Sequence, residues 1–289
     1  MRTEKEMFSL ILNTAREDDR ILAVYMNGSR VNPAAKKDIF QDYDIVYVVR
    51  ETEPFRTERT WIDRFGERLY MQYPEENEAD RIHADQCYGW LIQFADGNRL
   101  DLHVRTVECA REDLRRDRMF RILYDGTGCL SGVGEPTDED YWIKKPSQEE
   151  FYFACNEFWW CLNNVAKGLW RREIPYAQDM VNCNIRPQLV TLLSWKAGIA
   201  SGFRCSAGKS GKYLYRYLPE RDWERLLKTY APGDVEAMWE AVFVMCELFD
   251  ASAREVAGGL ALDYDEAEGK ASFDYLKRVR SLPEDANEV

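Results

Sequence analysis

Two aspartates, Asp42 and Asp44, stand two positions apart at the start of the otherwise apolar run QDYDIVYVV (41–49). Alternate residues of a β-strand face the same side of a sheet, so the Cα atoms of this pair would be about 6.6 Å apart on one face. Two carboxylates in that arrangement can converge on one divalent cation. Without a cation, their repulsion would raise one pKa. The pattern alone is also compatible with a solvated strand end.

A turn that could hold a phosphate follows the apolar run ILAVYM (21–26). Gly28 lets the backbone approach a ligand closely, and the amide and hydroxyl of Ser29 can bind a phosphate oxygen. Arg30 can add a charge-assisted contact to the same group. If 21–26 and 43–49 are paired strands, this turn lies beside the two aspartates.

A third carboxylate, Asp101, stands in the alternating run RLDLHVRTV (99–107). The leucines of this strand are expected on one face, and Asp101 and His103 on the other. An acid is unexpected in a core strand unless something holds it there. We therefore group Asp101 with the first two aspartates, and we interpret His103, a single histidine, as structural rather than catalytic.

The elements around these residues form a mixed α/β pattern. The apolar runs next to the aspartates predict strands, and the stretches 88–94 and 99–107 predict a β-hairpin with a glycine-containing turn. Apolar residues at helical spacing predict helices over 4–18 and 55–71, the second with Phe55, Ile62, Phe65 and Leu69 on its apolar side.

The composition changes near residue 126, where the sequence becomes rich in Gly, Asp and Pro. We place a domain boundary there and predict domains at 1–135 and 136–289. In the second part, Ser147 and Glu150 fit a capping box, and apolar residues then follow one helical face. Strands are hard to find in this half, so we expect a helical bundle.

Composition excludes several classes of protein. The chain has 289 residues, with 39 Lys and Arg against 51 Asp and Glu, which gives a formal charge of −12 and argues against a nucleic-acid binder. The eight cysteines are scattered without zinc-finger spacing. No secretory leader or membrane span is evident, so we expect no membrane association and a cytoplasmic protein with reduced thiols.

The strand ending in Gly-Ser, the D-x-D pair and the later strand aspartate resemble the nucleotidyltransferase superfamily. The resemblance implies the α+β class, with an N-terminal polymerase-β-like domain that carries a mixed sheet and a C-terminal helical bundle. In that superfamily the first two acids bind Mg²⁺ with a nucleoside triphosphate. The third completes a second metal site or accepts the proton of the acceptor hydroxyl. Asp42, Asp44 and Asp101 are the implied catalytic and metal-binding residues.

Longer blocks resemble the aminoglycoside 6-adenylyltransferase family over nearly the whole chain. They include NGSRVNP, KKDIFQDYDIVYVV and NRLDLHV in the first half, and VAKGLWRREIPYAQDM and GKYLYRYLPERDW in the second. The resemblance implies transfer of AMP from ATP to the 6-hydroxyl of streptomycin, with release of pyrophosphate and resistance to the antibiotic. It implies Mg²⁺ as cofactor, and we expect a monomer or a weak homodimer.

Four residues of the second half are candidates for binding these substrates. The string SAGKSGK resembles the end of a P-loop, but its glycine spacing is one residue too long, so we reject a Walker A site. Of Lys209 and Lys212, we favour Lys212 as a contact to the triphosphate; the alternative is a solvated basic loop. Asp179 and Glu157 are candidates for pairing with the guanidinium groups of streptomycin, and Trp170 for stacking on them. Alternatively, Asp179 and Glu157 are exposed helix residues without a ligand, and Trp170 is a core aromatic.

Three other functions remain open at this point. A glycosyltransferase also uses D-x-D to hold a metal on a nucleotide sugar, although it would not explain the Gly28 turn or Asp101. A nucleotidyltransferase-fold protein could act on another small hydroxylated substrate. A catalytically silent nucleotide-binding module could keep the fold for partner recognition.

Overall fold

The computed structural model describes residues 1–77 and 83–289. It divides into two compact units, Met1–Asp140 and Tyr141–Val289. The first unit contains a six-stranded mixed sheet with helices, and the second is helical. The α+β class expected from the sequence is therefore confirmed. Within the described ranges, no helix has the length and apolar character needed to cross a membrane.

The strands of the first unit are β1 (Ile21–Met26), β2 (Tyr43–Val49), β3 (Arg68–Gln72), β4 (Cys87–Phe94), β5 (Arg99–Thr106) and β6 (Arg121–Asp125). They form one sheet in the order β3-β4-β5-β2-β1-β6. β2 and β5 pair in parallel, and the other neighbours are antiparallel. The centre of the sheet therefore joins two strands that are far apart in the sequence. The predicted hairpin of β4 and β5 is confirmed, as is the pairing of the first two strands.

Strand β5 separates an apolar face of the sheet from a polar one. Leu100, Leu102 and Val104 are fully buried, whereas Asp101 and His103 retain contact with solvent. Side chains on a strand alternate between faces, so this single strand contributes to both the core and the polar surface.

Helices cover the two faces unequally. Helix α1 (Glu4–Glu17) begins at a capping box formed by Thr3 and Glu6, and it packs its buried residues into the core on the apolar face. Helix α3 (Val107–Arg116) packs over β1 and the C-terminal part of β2 on the other face. The N-terminal end of β2 and the neighbouring strand β5 thus present polar side chains on that face.

The single helix predicted over 55–71 is wrong. This stretch contains the short helix α2 (Glu53–Thr57), a 3₁₀ turn at Trp61–Phe65 and the edge strand β3. Gly66 follows the turn with a φ of 115°, a conformation that favours glycine and ends the helical path. Leu69, expected on the buried side of the helix, is 64% exposed on β3.

The second unit contains α4 (Gln148–Trp170), α5 (Ile174–Asp179), α6 (Arg186–Ser201), α7 (Glu220–Lys228), α8 (Val235–Leu260) and α9 (Glu266–Ser281). A π-helical segment, Met180–Ile185, joins α5 to α6. The predicted capping box at the start of α4 is present, with the Ser147 hydroxyl accepting from the Glu150 amide. The helices enclose one apolar core.

Candidate active site

Asp44 and Asp101 are directly opposite each other on the two central strands of the sheet. The parallel register of β2 and β5 pairs these two residues. Since neighbouring strands are about 4.8 Å apart, their carboxylates share one face at close range. Asp42 immediately precedes β2, and its Oδ2 lies 3.7 Å from Nε of Arg99, whose guanidinium also binds Asp101. The structure therefore brings the three predicted acids together around one cationic group.

The turn after β1 lies against Asp44, as expected from the sequence. Gly28 has a φ of +71°, and a Cβ built on it would lie 1.9 Å from Oδ2 of Asp44. Any other residue would have to displace that carboxylate. The amide of Asn27 donates to the backbone carbonyl of Asp44 at 3.1 Å, and the amide of Ser29 donates to its side chain. These contacts fix the turn on β2.

Arg30 supports the segment that carries the acids. Its Nε donates to the carbonyl of Asp42 and its Nη2 to the carbonyl of Gln41, each at 3.0 Å. The guanidinium also stacks over the Tyr43 ring, 3.7 Å from the centroid. Its Nη1 also lies 3.7 Å from Oε2 of Glu4. A contact from Arg30 to a phosphate stays a prediction.

The acids carry more negative charge than their surroundings neutralise. Burial, followed by repulsion from Asp101 and Asp42, raises the pKa of Asp44 to about 6. Burial also raises the pKa of Asp42, although the nearby Arg99 opposes that shift. Two carboxylates with pKa values raised in one cluster indicate a site that favours an added positive charge.

Arg99 is the cationic residue that the sequence analysis missed. Its Nε and Nη2 donate to the two carboxylate oxygens of Asp101, each at 2.8 Å, in a bidentate pair. The signal was available, because residues 99 and 101 are two positions apart on a strand and must share a face. Arg99 thus shows that the acid cluster can accept a cation between Asp42 and Asp101.

Two of the substrate-binding candidates lie on α4 in the helical unit. Glu157 is half-buried and accepts a hydrogen bond from Sγ of Cys161 at 3.3 Å. Trp170, at the end of the helix, packs against the apolar core of this unit. Its Nε1 is buried and finds no acceptor within residues 1–77 and 83–289. Both residues keep a partly accessible side chain.

The other two candidates are exposed. Asp179 is the last residue of α5 and accepts from Sγ of Cys183 at 3.4 Å. It directly precedes the π-helical segment, and such segments are frequent at functional sites. Lys212 follows a 3₁₀ turn, and its Nζ lies 5.1 Å from the centroid of the Tyr213 ring. The binding roles of Asp179 and Lys212 stay predictions.

Comparisons with known proteins extend along nearly the whole chain. The sequence matches the family described as streptomycin adenylyltransferase over residues 1–279. The chain belongs to this family. An aminoglycoside 6-adenylyltransferase of Bacillus subtilis (strain 168) is 37% identical over 270 residues, which cover 92% of this chain and 95% of the relative. One of Campylobacter jejuni is 38% identical over 272 residues, 94% of each chain.

Among solved structures, this streptomycin adenylyltransferase family member is similar to an aminoglycoside 6-adenyltransferase from Bacillus subtilis. The two share 32% identity and a TM-score of 0.48, with 98% of this chain and 100% of that one covered. The family resemblance inferred from the sequence blocks is thus confirmed by the family match and the curated relatives.

Proposed function

We propose that the protein transfers AMP from ATP to the 6-hydroxyl of streptomycin and releases pyrophosphate. The convergence of Asp42, Asp44 and Asp101 beside the Gly28 turn carries the proposal. The family name and the names of the relatives, which are aminoglycoside 6-adenylyltransferases, support it further. Adenylylated streptomycin would be the resistance product, made in the cytoplasm, where ATP is abundant.

Mg²⁺ is the cofactor that best fits the cluster. Carboxylate oxygens are the ligands that this ion prefers in proteins. The Arg99 guanidinium already bridges towards Asp42 and Asp101, and the raised pKa values of Asp42 and Asp44 come from burial and repulsion that a cation would relieve. Asp42, Asp44 and Asp101 would hold the ion. When bound, Mg²⁺ would neutralise charge on the triphosphate.

The residues of the first unit would divide the chemistry among them. Gly28 would let the backbone approach the triphosphate, and the Ser29 hydroxyl would bind it, while the Ser29 amide holds Asp44. Asp101 would accept the proton of the 6-hydroxyl while the hydroxyl oxygen attacks the α-phosphorus of ATP. The bond between the α-phosphorus and the bridging oxygen then breaks, and pyrophosphate leaves in line. Arg30 would keep Asp42 in position throughout.

The helical unit would supply the remaining contacts. We propose that residues 1–135 act as the nucleotidyltransferase domain and 136–289 as the substrate-binding domain. Lys212 would neutralise the triphosphate, Asp179 and Glu157 would pair with the cationic groups of streptomycin, and Trp170 would stack on them. The exposure of Asp179 and Lys212 is compatible with these roles.

Mass spectrometry of streptomycin after incubation with the protein, ATP and Mg²⁺ tests the proposal. We expect the antibiotic to gain the mass of one AMP and fragmentation to place it on the 6-hydroxyl. The Asp44→Asn variant is the negative control, because it removes one proposed metal ligand while keeping the side-chain shape.

Each rival function predicts a different product. A glycosyltransferase would leave streptomycin unchanged with ATP and would add a hexose from a UDP-sugar. A silent module would bind ATP without releasing pyrophosphate. AMP on another aminoglycoside, with none on streptomycin, would keep the reaction class and overturn the substrate.

A further inference from the structure

Glu75, Cys87 and His103 bring a carboxylate, a thiol and an imidazole together on the polar face of the sheet. Glu75 lies in the 3₁₀ turn Pro74–Glu76, Cys87 begins β4, and His103 lies on β5. Oε1 of Glu75 is 3.8 Å from Sγ of Cys87 and 4.0 Å from Nε2 of His103. One ligand atom from each residue lies within 4.8 Å of the other two. The three acids proposed for Mg²⁺ are not part of this group.

Gly89 fixes two of the three side chains. Its amide donates to Oε2 of Glu75 at 2.8 Å, which orients the other oxygen, Oε1, towards the sulfur and the imidazole. Gly89 is also the register partner of His103, and a Cβ built on it would lie 2.6 Å from Nε2 of the ring. The side chains of Glu75 and His103 are 11% and 23% exposed. The group is therefore held in place and still accessible to a small ion.

The donor set determines which metal would fit. Zinc takes thiolate, imidazole and carboxylate ligands at about 2.0–2.3 Å, so tetrahedral ligands are roughly 3.3–3.7 Å apart. The distances from Oε1 of Glu75 exceed the values expected for these atom pairs by about 0.2 Å to the sulfur and about 0.6 Å to the imidazole nitrogen, which side-chain rotations would close. A sulfur and a nitrogen ligand disfavour Mg²⁺, which selects oxygen. We propose that Glu75, Cys87 and His103 bind a zinc ion, with water in the fourth position.

Burial raises the pKa of the Cys87 thiol to about 12, and the neighbouring Arg105 is the cation that opposes this shift. Arg105 lies directly opposite Cys87 in the register of β4 and β5, and its Nη1 pairs with Asp113 at 2.8 Å. Its Nε is buried and has no acceptor in the part of the chain that the structure describes. Zinc binding replaces the thiol proton of Cys87, which leaves to solvent, by a zinc–sulfur bond. The thiolate would then lie within the field of the Arg105 cation.

The site would tie the turn Pro74–Glu76 to two adjacent strands. Glu75 comes from the turn, whereas the other ligands come from β4 and β5, and His103 is two positions from Asp101. A bound zinc would therefore restrict a segment next to the acid cluster while using none of the cluster's carboxylates. The proposal is independent of the reaction proposed above.

Titration of the chelator-stripped, reduced full-length protein with Co²⁺ and Zn²⁺ tests the site. We expect one equivalent of Co²⁺ to give a sulfur-to-cobalt charge-transfer band, and Zn²⁺ to remove it. Cys87→Ser should abolish the band. Glu75→Gln, which can still accept from the Gly89 amide, should weaken Zn²⁺ binding by roughly tenfold or more.

Cys109→Ser is the matched control, since Cys109 is also partly buried in the first unit and lies in the field of Arg105. This variant should keep both the band and the affinity. An unchanged band in Cys87→Ser, no binding to the wild-type protein, or displacement of Co²⁺ by an equal concentration of Mg²⁺ would each overturn the proposal. Urea unfolding of the stripped variants separates ligand loss from misfolding.

Discussion

Asp18 and Asp44 are two aspartates of the first unit whose surroundings differ in kind. Asp18 is 8% exposed and lies beside the apolar core, where Trp61 Nε1 donates to it at 2.9 Å and Arg20 donates through Nε and Nη2 at 2.7 and 2.6 Å. Burial alone would raise its pKa, but the hydrogen bonds from Arg20 and Trp61 outweigh burial and lower it. Its charge is matched locally.

Asp44 faces the opposite situation on the polar side of the sheet. Burial is the largest cause and repulsion from Asp101 and Asp42 is the second, and together they raise the pKa of Asp44 to about 6. The Ser29 amide and the Arg99 cation reduce that shift without cancelling it. Folding places this carboxylate where its ionised form is disfavoured.

The difference separates an acid whose charge is matched within the fold from acids that repel one another. A charge whose partners are supplied by the chain stabilises the native state, whereas like charges held together on rigid strands make a binding site at a cost in stability. The apolar side and the acid cluster should therefore respond to substitution in opposite ways.

Of these substitutions, Asp44→Asn should show the largest effect. The loss should be in activity and not in stability. We expect AMP transfer to fall at least about a thousandfold, roughly 4 kcal/mol in the barrier, because a proposed metal ligand is lost. In chelator, the free energy of unfolding should be unchanged or higher, since one of three repelling charges is removed. Pyrophosphate release and urea unfolding measure the two quantities.

Full turnover by this variant would remove the proposed metal role of Asp44. A large loss of stability in chelator would instead show that Asp44 acts like Asp18, as a structural acid. Either result would break the contrast between the two regions.

Leu102→Ala should affect stability and spare the chemistry. Leu102 is fully buried on the apolar face of β5, next to Asp101 in the sequence but on the other side of the sheet. We expect a loss of about 3 kcal/mol from the transferred methyl groups and the cavity, measured by urea unfolding. Turnover per folded molecule should change less than about twofold, because the side chains of Leu102 and Asp101 point to opposite faces of the sheet.

Leu69→Ala is the control for this experiment. Leu69 is 64% exposed on the edge strand β3, so its truncation should cost no more than about 0.5 kcal/mol. A comparable loss of turnover in folded Leu102→Ala would mean that the two faces of β5 are coupled.

The expected proximity of the three acids is observed, whereas part of the backbone around them differs from the expectation. Asp42, Asp44 and Asp101 stand out because a charge interrupts an apolar strand pattern, and strand alternation is a local property. The parallel pairing that sets Asp44 opposite Asp101 has no local signal, because it depends on where a distant strand docks. The stretch around Gly66 also depends on non-local structure. Apolar spacing identified the buried Phe55 and Ile62, but it did not distinguish one continuous helix from a short helix, a 3₁₀ turn and a strand.

Arg99 was missed for a different reason. A lysine or arginine at a strand end is usually a solvated edge charge. Strand alternation places it on the same face as Asp101, but its proximity to Asp42 depends on the pairing of β5 with β2.

Asp18→Asn should give the smallest effect, with a pH dependence that identifies the structural acid. Asparagine can still accept from Trp61 but loses the ion pair with Arg20, so we expect a loss of about 1–2 kcal/mol at pH 7. The lowered pKa of Asp18 means that its stabilisation is present above about pH 4, the unfolded value, and is lost as the pH falls further. The difference between variant and wild type should therefore shrink towards pH 3 in urea unfolding.

Asp19→Asn is the neighbouring control, because Asp19 is exposed and should show almost no difference at either pH. A deficit in Asp18→Asn that persists unchanged at pH 3 would mean that packing, rather than the charge, makes Asp18 stabilising. Charge at Asp18 would then no longer explain its difference from Asp44. The contrast is between a carboxylate whose charge is matched by Arg20 and Trp61 and one whose nearest charged neighbours include two other acids.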